Sequence, residues 1–221
     1  MRSKIIVTED NSKTLLIPEL NESYHSTKGA ITEAKHVFIK EGLLYRPLKS
    51  VNIFEMGLGT GLNAIITLHE AINRNLSVNY TCVEPYPLGL DKLNEVDYLT
   101  DLNYTEYSEA YKKMHTCKDH TPTELFPNFT FTKFLSKIQD TKLPNDYFDL
   151  IYFDAFGPKV QPELWSASVL DKMKQAMRKD AILVTYCAQG AFKRTLKELG
   201  FEVQSIPGPP GKREMTRAIN K

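Results

Sequence analysis

From position 51 onward the chain sets short apolar runs against longer segments in which apolar side chains return every three or four residues. The runs fall at 51–54, 78–83, 129–131, 148–153, 181–186, 201–205 and 215–219. Their length and their content of Val, Ile, Phe and Tyr predict buried strands, and the amphipathic stretches between them predict helices. Such alternation calls for a mostly parallel sheet covered by helices on both faces. The link between the last two runs, 206–213, carries Pro207, Gly208, Pro209, Pro210 and Gly211. It is too short for a crossover helix, so the last strand must run against its neighbours. The expectation is an α/β fold: a seven-stranded, mostly parallel sheet with one antiparallel strand near its edge.

Two stretches stand outside this rhythm. Residues 1–45 predict an N-terminal extension on the core formed by 46–221: a hairpin from 5–7 and 14–17 around a turn-rich 9–12, then a helix from about 29 to 40. Ile31, Ala34, Val37 and Phe38 share one face of that helix, which should lean on the core. Residues 91–128 form an acidic insertion. There Tyr104, Tyr107 and Tyr111, three and four apart, line one helical face, as a packing surface or as a substrate platform.

The chemistry concentrates where strands end. The first core run closes on Glu55, followed by Gly57, Gly59 and Gly61. This reads as a strand feeding a tight turn that opens a helix from 62 to about 73, whose first N–H groups face a ligand. G-x-G-x-G is not the G-x-G-x-x-G of a dinucleotide fingerprint. Glu84, closing the next run, stands where such sheets place a carboxylate on ribose hydroxyls. Together these point to an adenosine-bearing ligand without a pyrophosphate, and S-adenosylmethionine fits. Glu55 would support the loop or the methionine amino group. Asp154 ends the run 148–153 and faces the same crevice, or else serves as a turn acid for local N–H groups. Phe156 and Trp165 read equally as wall or core.

Composition adds limits. With 221 residues, 42% hydrophobic and a net charge of +1, the chain can bury one core and has no global pull toward polyanions. A nucleic-acid surface must be local. The best patch is Lys212, Arg213, Arg217 and Lys221, joined by Lys159, Lys193, Arg194 and Lys197, although Lys193, Arg194 and Lys197 also suit a solvated helix face. No run approaches the roughly eighteen apolar residues of a membrane span, and the start is too quickly polar for a signal peptide, so a cytoplasmic protein without membrane contact is expected. Cys82, Cys117 and Cys187 form no C-x-x-C pair. His115, Cys117 and His120 lack a fourth ligand nearby, so no metal is expected.

Longer motifs carry a resemblance. Glu-Met-Gly-Leu-Gly-Thr-Gly-Leu-Asn at 55–63, Asp-Ala-Phe-Gly-Pro-Lys at 154–159 with Pro-Glu-Leu-Trp at 162–165, Thr-Tyr-Cys-Ala-Gln-Gly at 185–190 and Gly-Lys-Arg-Glu-Met at 211–215 are the main ones. With Tyr24-His25-Ser26 and 33–38, they resemble the methyltransferase module of the tRNA 5-methylaminomethyl-2-thiouridine biosynthesis proteins (MnmC-like, of stand-alone type). The likeness spans almost the whole chain. It implies a Rossmann-like class I S-adenosylmethionine-dependent methyltransferase that N-methylates the 5-aminomethyl group of (2-thio)uridine at the tRNA wobble position. Its partners would be the tRNA anticodon stem-loop and, on the same tRNA, upstream wobble-uridine modification enzymes. The resemblance implies Asp154 as catalytic, and Glu55, Gly57, Gly59, Gly61, Asn63, Glu84, Tyr24 and Glu33 at the donor. Phe156, Lys159, Lys212 and Arg213 would meet the substrate.

Two departures stand out. The flavin-dependent oxidoreductase domain joined to such modules has no room in 221 residues. Lys133 stands near where similar enzymes place an adenine-binding acid. A reference Asp, with a pKa of about 3.9, is also a poor net acceptor for the proton of an alkylammonium near 10.4, so Asp154 is expected mainly to orient the amine. The alternatives are a small-molecule N- or O-methyltransferase, a non-catalytic tRNA- or S-adenosylmethionine-binding module and, more weakly, a nicotinamide-dependent dehydrogenase.

Overall fold

The computed structural model describes residues 3–221. Three short strands, β1 (Lys4–Val7), β2 (Lys13–Ile17) and β3 (Glu22–Ser23), pair antiparallel as a small separate sheet. Asp10, in the β1–β2 turn, accepts hydrogen bonds from Thr8 and Ser12 and from the backbone N–H and hydroxyl of Thr32. Burial alone would raise this carboxyl, but the hydrogen bonds outweigh it and hold it well below the usual range. The turn is thereby latched onto α1 (Ala30–Ala34), which continues as a π-helical segment, Lys35–Leu43, beyond the expected end at Lys40. Gly42 explains the close approach there: a Cβ would lie 3.1 Å from Val184 and 3.3 Å from Tyr152.

The core follows as β4 (Ser50–Met56), α2 (Leu62–Asn73), β5 (Ser77–Val83), α3 (Leu90–Val96), α4 (Tyr98–Leu102), α5 (Ser108–Thr116) and β6 (Thr123–Phe126). Then come β7 (Phe129–Phe134), β8 (Phe148–Phe153), α6 (Ala167–Ala176), β9 (Met177–Thr185), α7 (Gly190–Glu198), β10 (Phe201–Pro207) and β11 (Glu214–Asn220). The sheet order is β10-β11-β9-β8-β4-β5-β7-β6. β11 runs antiparallel to both neighbours, as its short link requires. The sheet has eight strands, not seven, because β6 folds back on β7 through Asn128 at φ 65° and makes a second reversed strand. Pro122 and Pro127 flank this four-residue strand and hide it in the sequence.

Alternation with period two sorts the side chains onto two cores. Ile53 of β4 and Leu150 and Tyr152 of β8 face the layer of α2 and the 90–116 helices. Phe54, Ile151 and Phe153 face α6 and α7. Tyr104, Tyr107 and Tyr111 are buried in the first core, and Tyr111 donates its hydroxyl to Thr60 O at 2.6 Å. The aromatic stripe is a packing face. Among the described residues no helix is long and apolar enough to cross a membrane.

From β4 the chain first steps outward through β5 and β7, then returns to place β8 on the other side of β4. A ligand crevice is expected at the carboxyl ends of strands where the order reverses. Those ends are the glycine turn and Asp154.

Candidate active site

Gly57, Gly59 and Gly61 all have positive φ, 87°, 53° and 75°. Glu84 clamps the loop to the end of β5, accepting the N–H of Gly59 (2.8 Å) on one oxygen and that of Tyr86 (2.9 Å) on the other. Gly61 is needed for a packing reason: a Cβ there would stand 2.7 Å from His115 Nε2. Under the loop, Asn63 Nδ2 donates to both Glu55 Oε1 (2.9 Å) and Asp154 Oδ2 (2.7 Å). One amide therefore bridges two carboxyl groups. Burial, and then the charge of Asp154, push the Glu55 carboxyl well above the usual range and favour its neutral form.

A cleft of about 1160 Å³ opens at this edge, lined among others by Gly57, Gly59, Glu84, Asp154, Phe156 and Tyr186. Ligand clefts commonly span about 300–1,000 Å³, so this one has room for a donor and an acceptor together. Gly57 and Gly59 face it. Glu55, Asn63 and Gly61 do not line it: Glu55 is 0% exposed and holds the Asn63 amide at the start of α2. Tyr24 packs its ring over Gly59 and meets Phe156 edge-on at 5.2 Å. Trp165 stands behind this wall, buried against Phe153 and donating Nε1–H to Phe156 O at 2.9 Å.

Asp154 is not an ordinary aspartate. Burial first, and the nearby Glu33 second, raise its pKa from 3.8 to about 7, against the hydrogen bond from Asn63 and the charge of Lys212. The sequence-based view of a carboxylate too acidic to accept a proton is corrected on this point.

Glu33 lines the cleft and accepts the Ser26 N–H at 3.0 Å. Its other oxygen takes Lys212 Nζ at 2.6 Å, and that ammonium lies 3.9 Å from the centroid of the Tyr186 ring. Lys212, expected on tRNA phosphates, therefore turns into the cleft. Arg217 is also withdrawn from the expected basic patch: it is 8% exposed, stacks 3.6 Å over Tyr45 and pairs with Glu41. Lys193 pairs with Glu214, and Lys221 with Glu202 and Asp180. Lys159, Arg194, Lys197 and Arg213 are exposed and make no ion pair among the described residues.

Lys133 is buried and points away from the cleft, donating to Met114 O (3.2 Å) and His115 O (2.6 Å) at the carboxyl end of α5. Residues 137–140 line that end of the cleft instead. They do not stand out in the sequence, whereas Tyr186 lies in the 185–190 motif without being singled out. Tyr186 is the first residue beyond β9, at the same strand edge as Asp154, and that position is the available signal.

A glycine turn and two acids at the carboxyl edge of a doubly wound sheet define a Rossmann-like transferase site. A family model described as S-adenosyl-L-methionine-dependent methyltransferase matches residues 94–221, and the chain belongs to this family. Relatives named tRNA 5-methylaminomethyl-2-thiouridine biosynthesis bifunctional protein MnmC include one from Leptospira interrogans, 27% identical over 95% of this chain and 34% of its own length. Another, from Ralstonia nicotianae, is 31% identical over 90% of this chain and 32% of its own length. The chain thus spans about a third of the curated relatives it matches. The crystal structure of MNMC2 from Aquifex aeolicus shares the fold, with a TM-score of 0.76 and 24% identity over 100% of this chain and 70% of that one. S-adenosyl-L-methionine is the methyl donor of the family. The cleft suits it, since two glycines offer bare backbone and each Glu84 oxygen, holding one N–H, keeps acceptor capacity.

Proposed function

We propose that this protein methylates the 5-aminomethyl nitrogen of (2-thio)uridine at the tRNA wobble position. One observation carries the reading: a cleft-lining aspartate with a pKa of about 7, held beside the glycine turn and walled by Tyr24, Phe156 and Tyr186. The names of the MnmC relatives support the choice of acceptor.

An alkylamine near pKa 10.4 is a free base about once in 10³ to 10⁴ molecules at pH 7, a cost of roughly 4–5 kcal/mol. Handing its proton to a carboxylate at 3.9 would cost about 9 kcal/mol, but to one near 7 only about 4–5. Asp154 is therefore matched to accept the proton, and Asn63 holds the accepting carboxyl in place. Bound in the cleft, the donor supplies a methyl group on a sulfonium. Gly57, Gly59 and Glu84 would hold it, while Tyr24 and Phe156 exclude water from the reacting nitrogen. Exposed Lys159 and Arg213 would meet tRNA phosphates in the cytoplasm, after upstream enzymes have installed the aminomethyl group.

The test is incubation of the purified protein with S-adenosyl-L-methionine and tRNA bearing aminomethyluridine, followed by nucleoside mass spectrometry. Conversion to methylaminomethyluridine is expected. Donor that binds but leaves this tRNA unchanged would refute the reading.

A further inference from the structure

Lys212 is a primary alkylammonium held inside the cleft, and the groups that hold it are fixed without its help. Glu33 is anchored by the Ser26 N–H, and Tyr186 by donating its hydroxyl to Ala155 O at 2.7 Å. Asp154 is near enough for its proton affinity to feel both Glu33 and Lys212, and the edges of Tyr24 and Phe156 complete the wall. An aromatic face with two carboxyl groups is a receptor for an organic cation.

The lysine itself is the loosest member. It rides on the turn at 208–213, closed by Lys212 N to Pro209 O and Gly208 N to Arg213 O, and its side chain keeps 33% of its exposure. Two ammonium groups cannot share one such seat. Without any cation, the charge of Glu33 would act on Asp154 with no ammonium to offset it.

We propose that Lys212 is a resident stand-in for the acceptor: its ammonium occupies the seat that an incoming alkylammonium takes, and it leaves when that substrate binds. The inference rests on the acceptor being an amine, as in the proposed function. It assigns Glu33 and Tyr186 to recognition of the acceptor cation, whereas Glu33 was expected at the donor.

The probe is ethylammonium, titrated into wild type, Lys212→Met and Lys212→Gln and followed by the NMR signals of the tyrosine rings. A seat vacant about a tenth of the time weakens an outside ligand about tenfold, so both variants should bind ethylammonium about tenfold more tightly than wild type. Adding Glu33→Gln or Tyr186→Leu to Lys212→Met should abolish the gain, and 1-propanol should show none. Equal affinities in wild type and both variants would overturn the proposal, as would a gain shared by 1-propanol. Circular dichroism checks that each variant is folded, and the two replacements guard against failure of either. Methyl transfer to aminomethyluridine tRNA by the wild type, measured separately, tells failure of this inference from failure of the proposed reaction.

Discussion

Replacing Asp154 by Asn removes a charge while keeping an oxygen for Asn63 to donate to, so it isolates the cost of ionising this carboxyl. The unfolded chain releases the proton near 3.8, and the folded protein retains it to about 7. Between those values the native state binds more protons than the unfolded state, so wild-type stability falls as pH rises through this window. At about 1.36 kcal/mol for each pH unit the ceiling is about 4 kcal/mol, and water reaching a partly exposed carboxyl lowers the expected value to about 1–3 kcal/mol. The assay is urea unfolding of both ligand-free proteins from pH 4.5 to 8.5, reading the difference so that groups not coupled to Asp154 cancel. The variant should exceed wild type slightly at pH 4.5 and increasingly up to about pH 8. Methyl transfer should meanwhile be lost, and wild-type kcat/KM should show an acid limb near pH 7. A stability difference that does not change with pH would refute the argument, because it would mean that Asp154 titrates like an exposed aspartate.

By the same proton linkage Glu55→Gln should raise the unfolding free energy at pH 7, and Glu55→Ala should fall below Glu55→Gln by about 1–3 kcal/mol by orphaning the Asn63 amide. A large loss in the Gln variant would show that Glu55 is ionised. Gly61→Ala forces a Cβ against His115 at positive φ and should cost about 1–3 kcal/mol in denaturant unfolding. Lys133→Met strips His115 O of its donor and leaves Met114 O only the Cys117 thiol, and should destabilise by about 1–3 kcal/mol, with unchanged donor affinity by calorimetry. Weakened donor binding in a stable Lys133→Met protein would place that lysine at the cleft after all. Charge reversal at Lys159 and Arg213 should weaken tRNA binding and reduce its salt slope by about 1 for each phosphate left without a cation.

The sheet and its ligand edge are legible in the sequence because apolar runs, and acids placed just after them, are local signals. The run 148–153 coincides with β8, and Asp154 lies where it is expected. What the sequence hides is settled by groups distant along the chain. Lys133 occupies the inward register after Phe129 and Phe131, so the period-two pattern marks it as buried, but nothing local shows that it meets the end of a helix. Arg217 likewise sits between Met215 and Ile219 on the buried face of β11, although its neighbours in sequence suggest a surface cation. The pKa of Asp154 depends first on its burial and then on Glu33 and Lys212, which no spacing rule connects to it.

Glu33 and Lys212, joined at the cleft wall, are 179 positions apart, and the same turn is tied to the early chain by His36 to Pro207 O and by the fit of Gly211 against Lys28. During synthesis the glycine turn, Glu84 and their strands are all made before residues 207–213, so the residues of the cleft floor precede those of this wall. The wall of the cleft is thus closed by a chain segment made after the floor it completes.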